Sequence, residues 1–301
     1  MKPPSSPAVI SRIHGGLGNQ LFEYAAGYAL ARRLGVAHKV DTRVFAEAGE
    51  RPLALRDFKL SLAEASPEEL RETTPQWGPW WRNKYILWSH RLTPFHRRRW
   101  VREESFDFDA RLFTVRPPVY LDGWWQSEKY FAASAGEIRQ MFRLARAPTA
   151  RTEALGAELA SRPTVALHVR RGDYVQHPGY AQFHGVCPVE YYRRALAWLR
   201  ERAPSTSLVA FSDDPVWARE NLCNDGSVRL IEATPGHTAI EDFYLLGCCT
   251  HFVIANSSFS WWPAWLSESP CKLVVAPRRW FLGRDVRPED RFPSGWHLID
   301  A

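Results

Sequence analysis

The second half of the chain alternates apolar segments with amphipathic ones, and this alternation constrains the fold more than any other feature. Between residues 164 and 277 the apolar segments read TVALHV, SLVAFS, VRLIEA, HFVIAN and KLVVAP. Segments with apolar residues at helical spacing, such as CPVEYYRRALAWLRER, separate them. Strands that alternate with helices form a parallel sheet covered on both faces. The sequence therefore predicts an α/β domain in this half.

The first half opens with a related unit. A short strand, Ala8 to Ile13, precedes the glycine-rich turn HGGLG, and apolar residues at helical spacing follow from about Asn19 to Leu34. Asn19 suits an N-cap, and Gly35 suits the residue that ends the helix. At about 150 residues per domain, a chain of 301 residues suggests two domains. We place them at residues 1–150 and 151–301.

Composition excludes several classes of protein. The net charge of +6 favours anionic partners such as a nucleotide, a nucleic acid or an acidic membrane surface. The five cysteines are odd in number and lack C-x-x-C spacing, which excludes a disulfide framework and a zinc site and suggests a reducing compartment. The N-terminus does not read as a signal peptide, and no stretch reaches 18 consecutive apolar residues. We therefore expect a cytoplasmic protein.

The ends of the predicted strands carry polar residues that a simple core does not need. Ligands of open parallel sheets bind beyond the carboxyl ends of the strands. In this chain those ends include HVRRGDY, FSDDP and IANSSFSWW. Arg170 and Arg171 offer planar guanidinium forks for phosphate oxygens. Ser257 and Ser258 stand where a helix begins, a position that suits N-caps and phosphate ligands equally. Together these residues predict a diphosphate site.

Two other segments are less specific. HGGLGNQ lets the backbone around Gly16 approach a ligand, but it lacks the third glycine of G-x-G-x-x-G, so a dinucleotide cofactor is poorly supported. Residues 75–105 are aromatic and basic, which is compatible with nucleic-acid binding. We favour a segment packed on the first domain, because no nucleic-acid-binding motif accompanies it.

Four motifs resemble those of glycosyltransferase family 11, the α-1,2-fucosyltransferases that use GDP-fucose. They are GGLGNQLFEYA, HVRRGDYV, FSDDPVW and DFYLLGCCTHFVIANSSFSWWPAWL, spread over residues 15–265. The resemblance implies a GT-B-like α/β fold, with two Rossmann-like domains facing each other across a cleft. The N-terminal domain would hold the acceptor and the C-terminal domain GDP-fucose. The reaction would be an inverting transfer of L-fucose to the 2-hydroxyl of a terminal galactoside.

The resemblance also implies that no metal is needed. The D-x-D formed by Asp107 and Asp109 could hold a divalent ion, but we interpret it as a turn with solvated carboxylates. Arg170 would instead stabilise the negative charge on the departing GDP. Arg171 would assist it or pack back onto the domain.

The remaining binding roles follow from the matching motif positions. Ser257 and Ser258, with Asn256 before them, would contact the phosphates. Asp242 would accept hydrogen bonds from guanine, with Glu241 as the alternative. His168 would bond guanine or ribose, or else be a buried structural histidine.

The general base for the acceptor hydroxyl is the least determined role. Asp173 is the first choice, although it would serve equally well as a salt-bridge partner that orients an arginine of the same loop. His184 and Glu23 are alternatives. Asn19 and Gln20 match the N-terminal motif and should bond the acceptor or the donor, and we place Asn19 with the catalytic residues and Gly16 and Gln20 with the binding residues.

Two other functions stay open at this point. One is a transferase that uses another GDP-deoxyhexose, and the other is a basic nucleic-acid-binding protein that uses the segment RLTPFHRRRW. On the favoured interpretation, the partners are GDP-fucose and a galactose-terminated oligosaccharide or glycolipid. Peripheral membrane association would then occur at the inner face of the membrane.

Overall fold

The computed structural model describes residues 7–46, 51–74, 92–172, 175, 182–183, 185–232, 237–282 and 286–301. The chain divides into two compact units, Met1–Ala145 and Arg146–Ala301. Each unit contains a parallel sheet accompanied by helices. None of the helices in these described stretches is long and apolar enough to cross a membrane.

The N-terminal unit is built on a four-stranded parallel sheet with the order β2-β1-β4-β3. Its strands are β1 (Ala8–Arg12), β2 (Ala37–Asp41), β3 (Trp100–Arg102) and β4 (Val119–Asp122). Its helices are α1 (Leu17–Leu34), α2 (Pro67–Thr73) and α3 (Ala135–Met141). Short 3₁₀ turns cover Arg43–Ala46, Ala54–Asp57, Phe95–Arg97, Ala110–Thr114, Glu128–Tyr130 and Ala132–Ser134.

Helix α1 begins earlier than predicted, because the glycine turn leads directly into it. Gly16, not Asn19, is the N-cap, and the Gly16 carbonyl accepts the N–H of Asn19 at 2.9 Å. Gly15 has φ +69°, a left-handed conformation that a side chain disfavours, so the chain can reverse from β1 into the helix at this point. The predicted end is confirmed, since Gly35 adopts φ 66° and donates its N–H to the last turn.

The C-terminal unit is built on a six-stranded parallel sheet with the order β10-β9-β8-β5-β6-β7. Its strands are β5 (Thr164–Val169), β6 (Ser207–Ser212), β7 (Val228–Leu230), β8 (His251–Val253), β9 (Val274–Pro277) and β10 (His297–Ile299). Its helices are α4 (Ala150–Ala160), α5 (Val189–Arg202), α6 (Pro215–Asn221), α7 (Ala239–Gly247), α8 (Ser258–Leu266) and α9 (Pro288–Arg291).

Strand β5 lies in the middle of the second sheet, and all six of its residues are buried. This burial explains its nearly continuous apolar sequence, since a strand covered on both faces cannot alternate polar and apolar residues. Helix α5 covers part of the sheet with Tyr191, Tyr192 and Leu199. The Tyr191 hydroxyl donates to the carbonyl of Ile254 at 2.6 Å, so its buried polar group is satisfied. The core therefore fixes the carboxyl end of β5 between its two neighbours.

Candidate functional site

The strand order of the C-terminal unit brings three polar strand ends to one edge of the sheet. Strand β5 pairs with β6 on one side, where Val169 is opposite Ser212. On the other side it pairs with β8, where Leu167 is opposite Val253. Because all three strands are parallel, the residues that follow them emerge together. These residues are Arg170 and Arg171, Asp213 and Asp214, and the segment 256–258.

One carboxylate holds both arginines of the β5 loop. Arg170 Nη1 lies 3.0 Å from Asp213 Oδ2, and the backbone N–H of Arg171 donates to Asp213 Oδ1 at 2.8 Å. The Arg170 side chain remains 22% exposed. A Cβ at Gly172 would lie 2.8 Å from Asp213 Oδ2, so this position fits only glycine without displacement of the carboxylate. Asp213 thus sets the position of the whole loop.

Arg171 packs back onto the domain, which is one of its two predicted roles. Its Nε donates to Asp214 Oδ2 at 3.2 Å, and its guanidinium lies 4.3 Å from the centre of the Trp217 ring. Asp214 also caps α6 by accepting the Trp217 N–H at 3.1 Å. Asp213 and Asp214 had no role in the prediction from sequence. A sequence feature that pointed to them was present, because the two aspartates directly follow β6, the strand next to β5.

Ser257 and Ser258 lie at the start of helix α8, but Ser257 does not cap the helix through its side chain. Ser257 occupies the N-cap position and is buried, and its hydroxyl accepts no hydrogen bond from the helix N–H groups of the described structure. Ser258 is the first helical residue. The uncapped first turn of a helix favours an anion, because its N–H groups point outward and carry partial positive charge.

Asn256 is tied to neighbouring loops. It is buried, and its amide nitrogen donates to the carbonyls of Gly185 at 3.4 Å and Trp280 at 3.3 Å. Its amide oxygen accepts the Cys187 thiol at 3.6 Å. The sequence predicted a ligand role for Asn256, whereas its amide groups here hold the two loops against the end of β8.

The structure gives different environments to Glu241 and Asp242, the two carboxylates that the sequence predicted as partners of guanine. Glu241 closes a capping box with Thr238 and accepts the hydroxyls of Thr149 at 2.9 Å and Thr152 at 2.7 Å. The hydrogen bond from Thr152 is the main reason that the pKa of Glu241 falls to about 2. Asp242 lies 2.7 Å from His237 Nε2, and its side chain is 37% exposed. Glu241 is therefore a structural residue, and Asp242 is the carboxylate that a ligand can reach.

His168 faces the same region from the end of β5. It is buried, and its Nδ1 has no hydrogen-bond partner among the described residues. Burial, with a contribution from Arg170, lowers the pKa of His168 to about 3, so the ring is neutral at pH 7. Its ring centre lies 5.5 Å from that of Phe259, which lies 5.8 Å from that of Phe243. This aromatic contact joins His168, the start of α8 and the helix that carries Asp242.

The glycine loop of the N-terminal unit is held from inside by Gln20. This side chain is fully buried, and its nitrogen donates to the carbonyls of Gly15 at 2.8 Å and Pro52 at 3.0 Å. Its oxygen accepts the Ala54 N–H at 2.9 Å. Gln20 was predicted to bond a ligand, but its side-chain amide bonds backbone groups of the protein. Asn19 Oδ1 accepts Gln126 Nε2 at 2.7 Å.

A second polar cluster lies at the carboxyl edge of the N-terminal sheet. His14 follows β1, and its Nδ1 lies 2.7 Å from Oε1 of the fully buried Glu23. The His14 backbone N–H donates to Glu23 Oε2 at 2.8 Å. The His14 ring stacks on Trp124 with centres 4.0 Å apart, and Arg12 pairs with Asp122 at 2.8 Å. Glu23 was a candidate from sequence, whereas His14 was not, because its position before the glycine turn was the only feature that pointed to it.

Two candidates for the base, Asp173 and His184, lie outside the described residues. Of the D-x-D pair, Asp109 caps a 3₁₀ turn through the Arg111 N–H and forms an ion pair with the Arg111 side chain at 2.7 Å. The basic segment lies outside the described structure at residues 75–91. Beyond it, Arg98 pairs with Glu104 at 3.1 Å.

The chain is similar to known glycosyltransferases. The sequence profile of glycosyl transferase family 11 matches residues 8–300. The alpha-1,2-colitosyltransferase of Escherichia coli is 29% identical over 299 residues, which cover 97% of this chain and 99% of that protein. Galactoside 2-alpha-L-fucosyltransferase SEC1 of Bos taurus is 30% identical over 262 residues, which cover 84% of this chain and 62% of that protein.

Solved structures bear on the fold. The fucosyltransferase NodZ from Bradyrhizobium aligns with a TM-score of 0.51 at 18% identity, covering 86% of this chain and 92% of NodZ. A chain of FUT1 from Arabidopsis thaliana, in complex with GDP, aligns with a TM-score of 0.52 at 12% identity and covers 91% of this chain and 71% of that one. At such identities the likeness establishes the fold alone. The predicted GT-B-like α/β fold class is confirmed.

Proposed function

The chain belongs to glycosyl transferase family 11, and from this premise we propose that it transfers L-fucose from GDP-fucose to the 2-hydroxyl of a terminal galactoside, with inversion at the anomeric carbon. The observation that carries the proposal is the meeting of three strand ends at one edge of the second sheet. There, Arg170 lies beside the start of a helix whose first N–H groups favour an anion. This combination suits a diphosphate.

Arg170 is the proposed catalytic residue of the donor site. As the bond to fucose breaks, negative charge builds on the GDP oxygen, and a fixed guanidinium beside that oxygen stabilises it. The ion pair with Asp213 limits the rotamers of Arg170 before substrate binds. Arg171 supports this geometry by anchoring the loop to Asp214 and Trp217. No divalent ion is proposed, because Arg170 and the helix terminus supply the positive charge.

The base and sugar of the nucleotide are assigned to the neighbouring polar groups. We assign recognition of the guanine N1–H and N2–H donors to the accessible carboxylate of Asp242. His168, with an unpartnered Nδ1 among the described residues, is available to guanine or ribose. Ser257 and Ser258 are assigned to the phosphates.

Three predicted binding residues receive supporting roles in the proposal. Gln20 and Asn256 hold the loops around the two strand ends through their side-chain amides. Gly16 permits the close turn into helix α1, where an added Cβ would lie 3.1 Å from Arg51 Nη1. Asn19, held by Gln126, is proposed to face the acceptor side of the reaction.

A second donor is supported by one specific observation. One relative that matches nearly the whole chain is a colitosyltransferase. Colitose is fucose without its 3-hydroxyl, so the two GDP-sugars share the nucleotide, the diphosphate and most of the ring. The residues assigned above contact only the shared parts, and both donors therefore fit them.

The test is a panel of donors and acceptors with the full chain. GDP-fucose, GDP-colitose and GDP-mannose are each incubated with β-galactosides, and NMR of the product locates the new linkage. The proposal expects a fucosyl or colitosyl group on the galactose 2-hydroxyl. Transfer to another hydroxyl, or no transfer from either GDP-deoxyhexose, would contradict it. A calorimetric titration with GDP alone tests the nucleotide site independently of the acceptor.

A further inference from the structure

The N-terminal unit contains a histidine–carboxylate pair that the donor site does not use. Glu23 is fully buried in helix α1, and both its oxygens point at His14, one to the ring nitrogen Nδ1 at 2.7 Å and one to the backbone N–H at 2.8 Å. A carboxylate with no solvent contact is costly to keep for packing alone. At 2.7 Å the two atoms are within ion-pair distance, although their orientation does not meet hydrogen-bond geometry.

Glu23 and Trp124 restrict the orientation of the His14 ring. In the tautomer that carries its proton on Nδ1, towards Glu23, the lone pair of the ring is on Nε2, at the opposite edge. The His14 side chain is 17% exposed, and the ring is clamped from one face by Trp124 with centres 4.0 Å apart. A histidine oriented by a carboxylate beside Nδ1, with its ring partly exposed, is an arrangement suited to general-base catalysis.

The charges around the pair come from every element that faces it. Arg12 on β1 and Asp122 at the end of β4 form an ion pair with each other, and Glu103 after β3 accepts the backbone N–H of Trp124 at 2.7 Å. Burial raises the pKa of Glu23 well above its ordinary value, and Arg12 opposes this rise. Burial and Arg12 lower the pKa of His14 to about 4. A single added proton is therefore shared by His14 and Glu23. That proton either occupies the lone pair of Nε2 or neutralises the carboxylate of Glu23.

We propose that His14, oriented by Glu23, is the general base that accepts the proton of the acceptor hydroxyl, and that Trp124 forms part of the acceptor sugar site. The proposal rests on the proposed transferase function. Trp124 is partly exposed, and an indole face beside the base suits the C–H face of a galactose ring. Gly15, where a Cβ would meet the Trp124 ring at 3.0 Å, keeps the histidine and the indole in contact.

The step balances without another reactant. The acceptor oxygen forms a bond to the anomeric carbon as the bond from that carbon to the GDP oxygen breaks, and the electron pair leaves with GDP. The acceptor proton moves to His14 Nε2 and is held by the imidazolium–carboxylate pair. It is then released to solvent when product leaves.

The experiment measures transfer to a β-galactoside and binding of GDP separately in full-length variants. For His14→Gln we expect kcat to fall on the order of 10²- to 10⁴-fold, with the Kd for GDP unchanged. Exogenous imidazole should restore part of the rate of His14→Ala, which a purely structural role of the ring would not allow. Wild-type kcat/KM should show an acidic limb that disappears in His14→Gln and shifts in Glu23→Gln.

A matched control is available in the other unit. His297 stacks on Trp198 with ring centres 4.2 Å apart, and among the described residues no carboxylate pairs with its ring. His297→Gln removes the same ring from the same kind of contact and should leave kcat within twofold. Thermal unfolding of each variant checks that the fold is retained.

Three outcomes would overturn the proposal. They are near-normal transfer by His14→Gln, loss of GDP binding in step with loss of rate, and an acidic limb that disappears in Asp173→Asn but persists in His14→Gln. Absence of transfer by the wild-type chain would refute the proposed function instead, so the two failures are distinguishable.

Discussion

The substitution Gly172→Ala tests whether Asp213 sets the position of the catalytic arginine. The added methyl would lie 2.8 Å from Asp213 Oδ2 and 3.2 Å from its Cγ. Oδ2 is also the atom that pairs with Arg170 Nη1 at 3.0 Å. To reach an ordinary van der Waals contact, the carboxylate has to retreat by about 0.6 Å. The retreat weakens its hold on Arg170 and on the Arg171 N–H.

The effect on stability should be small and the effect on rate large. The side chains of Arg170 and Asp213 are 22% and 26% exposed, so the ion pair contributes less than about 1 kcal/mol to the free energy of unfolding. Overpacking by one methyl adds about 1 kcal/mol, the low end of its usual range, because the displaced atom is a side-chain tip. Displacement of a catalytic group by a fraction of an ångström to 1 Å lowers kcat by about 10- to 10²-fold.

The assay is the initial rate of GDP release at saturating GDP-fucose and β-galactoside, together with the melting temperature. Gly247→Ala is the matched control, because Gly247 lies in the same unit and a Cβ there would meet nothing within 4 Å. The control should keep its rate, and its melting temperature should not fall, because Gly247 lies in a helix and alanine is the better helix former. If Gly172→Ala is folded and keeps kcat within twofold of wild type, the reasoning about Asp213 is refuted.

Four further predictions follow from the site. Arg170→Lys keeps the charge but loses the guanidinium fork, and steady-state kinetics should show kcat lower on the order of 10²-fold. Asp242→Ala should weaken GDP binding relative to UDP and ADP in calorimetric titrations, and an unchanged preference would refute its contact with guanine. EDTA should leave the initial rate unchanged, whereas inhibition reversed by Mn²⁺ would contradict the metal-free proposal. Burial raises the folded-state pKa of Glu23. The contribution of Glu23 to stability is therefore present at low pH and is lost as pH rises through that pKa. Between pH 5 and pH 8, the melting temperature of Glu23→Gln should fall less than that of wild type.

The main elements of the fold were predictable because they depend on local sequence patterns. The run TVALHV is apolar over its length because β5 is covered on both faces, and the sheet is parallel, as the alternation of strands and helices predicted. Gly35 ended its helix in the predicted conformation. The predicted start of helix α1 was wrong, because a glycine turn at Gly15 and Gly16 leads into the helix in place of the side-chain cap expected from Asn19.

The site was only partly predictable from the chain. The motif positions of Arg170 and Asp242 could be named from sequence. The partner of Arg170 could not, because Asp213 lies 43 residues later and becomes its neighbour only after folding. Glu241 and Asp242 are adjacent in sequence, and each carries a carboxylate. Their difference arises from Thr149 and Thr152, which lie about 90 residues earlier and direct their hydroxyls at only one of the two carboxylates.

The sequence by itself determined the α/β class, the family and the polar strand ends, since each of these is encoded in local composition and spacing. Tertiary structure alone decided that β5 lies between β6 and β8, and therefore which polar ends meet. It also decided that Glu23 reaches back to His14 from within a helix whose buried face otherwise looks like ordinary packing. Strand order and side-chain pairing depend on contacts between residues distant in sequence, and no local pattern encodes them.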